Sequence, residues 1–148
     1  MEKAYRLLSY RDRSVKEIVS ALEKKEFEPK IVAEVIARLK EQNYLDDRKF
    51  AMVYGSSMLR RRKVGPRYLL NKLVNKGVDK HLAQETVESI FHEHGGTGEE
   101  IDYWIERKLG SIKKSVEPLK KKKKIYDFLL RKGFTAEEIF MAFDGWEF

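Results

Sequence analysis

The residues of this chain best suited to chemistry are four consecutive cations, Arg60-Arg61-Arg62-Lys63, followed by Gly65-Pro66 and Arg67, and the chemistry they suit is contact with a polyanion. The run falls where one helical pattern ends and turns into the next, a position at which cations also satisfy the carboxyl end of a helix dipole. Four in succession exceed what a cap needs, and Lys72 and Lys76 continue one turn apart beyond them. A second run, Lys120 to Lys124, lies at a helix start, where positive charge opposes the dipole. Lys122 there occupies a stripe position and can instead lay its stem over the core. With Arg131 and Lys132 nearby in sequence, the candidate basic face is Arg60, Arg61, Arg62, Lys63, Arg67, Lys72, Lys76, Lys121, Lys122, Lys123, Arg131 and Lys132.

Other chemistries are poorly supplied. Asp46-Asp47 has the form of an acid/base pair, but helix capping accounts for it and no nucleophile or histidine is patterned beside it. His92-x-His94 has a metal-like spacing next to a glycine turn, with no third ligand of recognisable spacing, and is expected to be a solvated helix end. Neither a phosphate-cradling glycine loop nor a G-x-S-x-G elbow occurs. The expectation is a protein that is not an enzyme and takes no cofactor or metal.

The elements that must position these cations repeat. Val15, Ile18, Val19 and Leu22 lie at i, i+3, i+4 and i+7; the spacing returns 51 residues on at Pro66, Leu69, Leu70 and Leu73, and 56 further on at Lys122, Ile125, Tyr126 and Leu129. A second stripe follows each: Val32, Val35, Ile36, Leu39; Ala83, Thr86, Val87, Ile90; and Ile139, Ala142, Phe143, Trp146. Between the stripes stand the hinges Glu26-Phe27, Gly77-Val78 and Gly133-Phe134. A helix precedes each pair of stripes, carrying Ala4, Leu7, Leu8; Gly55, Met58, Leu59; and Ile101, Trp104, Ile105.

This predicts an all-α fold of three tandem three-helix repeats in an elongated array, with units over 1–47, 48–94 and 95–148. Leu109, Ile112 and Val116 predict that the first helix of the third unit is elongated and ends near Pro118. Ser14 with Glu17 predicts a capping box, Asp46 or Asp47 caps the next unit's first helix, and Thr135 opens the last helix ahead of Glu137-Glu138. Gly77 and Gly133 sit where a helix ends in a left-handed residue, and Glu26 holds that place in the first unit. Phe91 and Trp146, at the stripe ends, are expected to pack between helices.

The chain has 148 residues and no cysteine, which excludes disulfides and thiolate metal sites. No apolar run is long enough to cross a membrane, and Met1-Glu2-Lys3 leads into a helical pattern with no apolar signal core, so a cytoplasmic location is expected. The net charge of +7 is segregated. Residues 1–47 hold ten basic and ten acidic residues, whereas 48–82 hold ten basic and one acidic, Asp79. Such segregation points to a polyanion or an acidic protein groove.

The chain resembles the RecX family, bacterial regulators of the RecA recombinase. The resemblance rests on Tyr44-Leu45-Asp46-Asp47, Phe50-Ala51, Arg62-Lys63-x-Gly65-Pro66, Leu69, Leu73 and Lys76-Gly77-Val78. Leu7-Leu8 with Arg11 and Ser14-x-x-Glu17 support it at the front, and Leu129-Leu130-Arg131-Lys132-Gly133-Phe134 at the back. It implies a curved, monomeric array of the three units that binds in the groove of the RecA–DNA filament. Such a protein inhibits recombinase, ATPase and coprotease activities by lying in the groove or blocking filament growth. The partners so implied are the RecA filament and single- or double-stranded DNA of any sequence. Charge alone leaves open a nucleic-acid-binding protein with no recombinase partner, and a repeat scaffold for an acidic protein.

Overall fold

The computed structural model describes residues 1–148, folded as nine α-helices with no strand. They are α1 (Glu2–Tyr10), α2 (Val15–Lys24), α3 (Pro29–Glu41), α4 (Asp47–Arg62), α5 (Pro66–Asn75), α6 (Lys80–His94), α7 (Gly98–Ser111), α8 (Pro118–Arg131) and α9 (Ala136–Phe143). The main helix packing lies within triplets: α2 on α1 and α3; α4, α5 and α6 mutually; α7, α8 and α9 mutually. Each triplet closes its own core. The first is built on Ala4, Ile18, Leu22 and Leu39, the second on Leu59, Leu69, Leu73 and Ala83, and the third on Ile101, Ile105, Leu129 and Ile139. These are the predicted stripe residues, and no hydrogen bond or ion pair links the first triplet to the third.

The helix boundaries follow from local chemistry. Ser14 and Glu17 form a reciprocal capping box on α2, and Thr135 with Glu138 forms another on α9, each satisfying amides that lack intrahelical partners. Asp46, not Asp47, caps α4 by accepting from the Arg48 and Lys49 amides. Pro29, Pro66 and Pro118 each open a helix, where the missing N–H is no loss. Phe91 is buried, and Trp146 packs on the third core while its indole donates to Asp102 Oδ1 at 2.7 Å.

One expectation is corrected. The first helix of the third unit is not extended toward Pro118: α7 ends at Ser111, 14 residues long against 16 for α4. Gly110 weakens the helix there, and the Ser111 hydroxyl turns back to the Lys108 carbonyl. Leu109, in the last turn of α7, and Ile112, just past its end, still pack on the third core, so the apolar spacing continues into a packed connection without more helix. The inserted residues form the loop 112–117 and an additional first turn of α8.

Successive units are joined by a repeated contact. The segment that leads into the second helix of one unit docks on the Lys-Gly turn that ends the second helix of the next. At the first joint the Ser14 hydroxyl donates to the Lys76 carbonyl and the Val15 amide donates to Asp47 Oδ1 at 2.9 Å. At the second joint the Gly65 amide donates to the Lys132 carbonyl at 2.7 Å, and the Arg67 amide to the Gly133 carbonyl at 3.0 Å. Gly133 has φ +96°, a left-handed conformation in which a Cβ is penalised, and a Cβ there would also collide with the Tyr68 backbone. Gly65 has ordinary φ but lies against the Gly133 carbonyl, with no room for any side chain.

Truncating Leu22, Leu73 or Leu129 to alanine is expected to cost ~2–5 kcal/mol each by opening a cavity in its unit's core, measured by chemical unfolding. Gly65→Ala should lower the melting temperature by forcing the second joint apart. Gly98→Ala, with open space around it, should not.

Candidate polyanion-binding face

The basic run ends α4 and is divided by the fold. Arg60, Arg61 and Arg62 project from the last turn and are exposed, whereas Lys63 terminates the helix in a left-handed conformation (φ 49°) and is half-buried. The Lys63 carbonyl accepts the Trp104 indole N–H at 2.8 Å, and its ammonium lies 5.0 Å over the Tyr103 ring. Lys76 and Lys132 occupy the same station at the ends of α5 and α8. Their carbonyls are taken by the preceding unit, and their ammonium groups lie over Tyr54 at 5.7 Å and Trp104 at 4.4 Å. Three of the candidate cations are therefore joint residues as well as charges.

The cations and aromatic rings form a seam that crosses both joints. An open groove of about 330 Å³ between the first and second units is lined by Arg11, Arg61 and Lys76 around Phe50, Val53 and Tyr54. These α4 residues share one face, Phe50, Val53, Tyr54, Ser57 and Arg61, at helical spacing, with Arg61 Nε donating to Ser57 Oγ at 3.1 Å. Next along, Arg62 donates to the Tyr68 hydroxyl at 3.3 Å, and Lys72 lies 5.5 Å over the same ring. At the second joint Lys63, Lys132 and Lys108 surround Tyr103, Trp104 and Phe128, with Lys108 4.1 Å from the Phe128 centroid. Beyond it a polar groove of about 340 Å³ brings Lys108 together with Lys124 and Arg131. Cations over ring faces keep a fixed position while their heads stay available to an anion.

The remaining candidates fall as follows. Arg67 is exposed while its amide serves the second joint. Lys121 is half-buried, and Lys123 and Lys122 are exposed, the latter 5.3 Å over the Phe148 ring. The structure places none of these three in the two grooves, which instead recruit Arg11, Lys108 and Lys124. The sequence signal missed Arg11 and Lys108 because each stands outside a run, and Lys124 is a member of the Lys120–Lys124 run that the candidate face left out.

Electrostatics at the first joint are organised around Glu17. Its carboxylate receives a forked hydrogen bond from Arg11, at 3.3 Å and 2.5 Å, accepts the Ser14 amide and lies 3.8 Å from the Lys76 ammonium. Burial pushes this carboxyl up, but the hydrogen bonds of Arg11 and Ser14 and the charges of Arg11 and Lys76 outweigh that and hold it below the ordinary value. The hydrogen bond to Glu17 in turn raises the Arg11 guanidinium. Lys76 thus meets both the Glu17 carboxylate and the Tyr54 ring.

Comparison with known proteins yields one family. The models of the first, second and third three-helix domains of RecX match residues 1–39, 46–87 and 99–143, most of the chain. The regulatory protein RecX of Bacillus subtilis is 37% identical over 147 residues, 99% of this chain and 54% of that protein. That of Finegoldia magna is 34% identical over 133 residues, 88% of this chain and 63% of that protein. This chain therefore spans between half and two thirds of the length of these two relatives. The crystal structure of RecX from Lactobacillus salivarius superimposes with a TM-score of 0.89 at 23% identity, over 97% of this chain and 92% of that one, a likeness of fold.

Because the Glu17 pKa is depressed in the folded state, its ionised form stabilises the protein at neutral pH. That contribution is full above the ordinary value near 4.5 and is lost as pH falls through the folded value. Glu17→Gln is expected to cost ~1–3 kcal/mol at neutral pH, with the difference from wild type vanishing in acid, followed by thermal unfolding across the pH range.

Proposed function

The chain belongs to the RecX family of regulatory proteins, and on that footing we propose that it binds the RecA–DNA filament and inhibits recombinase, ATPase and coprotease activities. It does so by occupancy, lying in the filament groove and obstructing filament growth, and performs no chemistry of its own. Its place of action is the cytoplasm, in DNA recombination, repair and the damage response. Its units are 1–47, 48–94 and 95–148, acting as one monomeric strip.

The observation that carries this proposal is the continuity of the cation–aromatic seam across both joints. A basic face that runs over several units suits a groove made of acidic recombinase surface and DNA phosphate. Exposed Arg60, Arg61 and Arg62, followed by Arg67 and Lys72, supply sequence-independent contacts to phosphate or carboxylate. The ring-held Lys63, Lys76 and Lys132 give the seam a fixed spacing, so that binding loses less side-chain freedom. Lys121, Lys122 and Lys123, at the start of α8, form a secondary contact. The pattern also suits bare nucleic acid, and measurement against recombinase, DNA and filament in parallel separates the two.

Replacing Arg60, Arg61 and Arg62 together by glutamine should weaken binding to recombinase-coated DNA and relieve ATPase inhibition while leaving the melting temperature near wild type. The slope of log affinity against log salt should fall by about one for each phosphate contact removed. The same change at Lys121, Lys122 and Lys123 should do less. Equal affinity for bare and coated DNA would favour the nucleic-acid-only alternative.

A further inference from the structure

The turn between α6 and α7 brings together three side chains that neither the basic seam nor the joints use. His94 is the last residue of α6; Gly95 and Gly96, both left-handed (φ 92° and 100°), reverse the chain, and Glu99 and Glu100 return in the first turn of α7. One donor atom from each of His94, Glu99 and Glu100 lies within 4.8 Å of the others. His94 Nε2 is hydrogen-bonded to Glu100 Oε1 and stands 3.8 Å from Glu99 Oε2. We propose that these three residues bind one divalent transition-metal ion, with zinc the best match to the donor set.

A second observation separates this cluster from an ordinary acidic helix start. Glu100 is 4% exposed, and its Oε2 is the one buried side-chain polar atom of the chain with no hydrogen-bond partner. A buried carboxylate oxygen left unpaired is costly, and native structures leave few without a reason. A dication held by the Glu100 carboxylate supplies that reason, since binding it through both oxygens gives the unbonded one a partner. The donor set is one imidazole nitrogen with two carboxylates, which suits zinc or manganese; magnesium and calcium prefer oxygen alone.

The geometry needs only side-chain motion. Ligands about 2.1 Å from an ion stand roughly 3.4 Å from one another, so His94 must swing slightly away from Glu100 to admit it. His94 and Glu99 are the accessible members, and Glu100 is the fixed one. His92, the partner that the His-x-His spacing offers, is exposed and takes no part. An ion here ties the end of α6 to the start of α7, and hence the second unit to the third. Its effect is to stiffen that link.

The test is a zinc titration of the purified full chain by calorimetry and by competition with a chromophoric chelator, with manganese, magnesium and calcium in parallel. The expected result is one zinc per chain, a raised melting temperature in its presence, and no displacement by equimolar magnesium or calcium. His94→Ala should weaken binding at least tenfold and abolish the rise in melting temperature. His94 is exposed, so this variant folds even if Glu100→Gln does not. Absence of one-to-one binding overturns the proposal. So does zinc binding that His94→Ala leaves unchanged, which would assign the ion to other surface histidines.

Discussion

The array depends on what happens to the carbonyl at the end of a helix. The last carbonyls of an α-helix have no partner within it, and a buried carbonyl left alone is expensive. Here the terminal carbonyls of α4, α5 and α8, on Lys63, Lys76 and Lys132, are each satisfied from a neighbouring unit: by the Trp104 indole, the Ser14 hydroxyl and the Gly65 amide. Each unit can close its own core, but the second and third do not finish their own backbone hydrogen bonding. Association of the units is therefore a condition of good helix endings as much as of burial. That is how three small cores, each too limited to be secure alone, become one protein.

The same three lysines tie structure to charge. A cation at a helix C-terminus favours the dipole, and a ring beneath the ammonium holds it in place, so the residue type that suits the joint also suits an anion outside it. Mutating Lys63, Lys76 or Lys132 therefore alters joint and surface together, whereas Arg60, Arg61 and Arg62 touch mainly the surface. The first joint adds a carboxylate, Glu17, that is itself held ionised by the cations it positions. Position and charge state support each other there.

What was legible in the sequence was whatever is written in local spacing. Leu22, Leu73 and Leu129 mark the cores because burial of one helix face imposes a period near 3.6, and Ser14, Asp46 and Thr135 mark helix starts because only short polar side chains cap. The end of α7 was not legible: Ile112 and Val116 continue the period, yet burial of a loop produces the same apolar pattern as a helix. The joints were half legible. Gly77 and Gly133 announced left-handed turns, but nothing local to Gly65 or Asp47 shows that one lies against a turn about seventy residues on and the other accepts from Val15. The candidate face suffered similarly, since Arg11 and Lys108 join it only through tertiary packing.

Glu26 carries a consequence of another kind. A joint that uses different surfaces on its two sides is a head-to-tail contact, and head-to-tail contacts repeated between molecules grow open polymers unless something stops them. The turn at Glu26 corresponds to those at Gly77 and Gly133, and it has the same left-handed backbone, φ 63°, but it bears a side chain where the other two must have none. At Gly77 and Gly133 the space a Cβ would take is filled by Lys16 and Tyr68 of the preceding unit. At the far end Lys121 stands where Ser14 and Gly65 offer their donors, yet the additional turn of α8 has already spent its amide on the Glu117 carbonyl, 3.0 Å away. The two internal joints thus rest on features that their counterparts lack: a bare glycine in place of Glu26, and a free donor in place of the Lys121 amide.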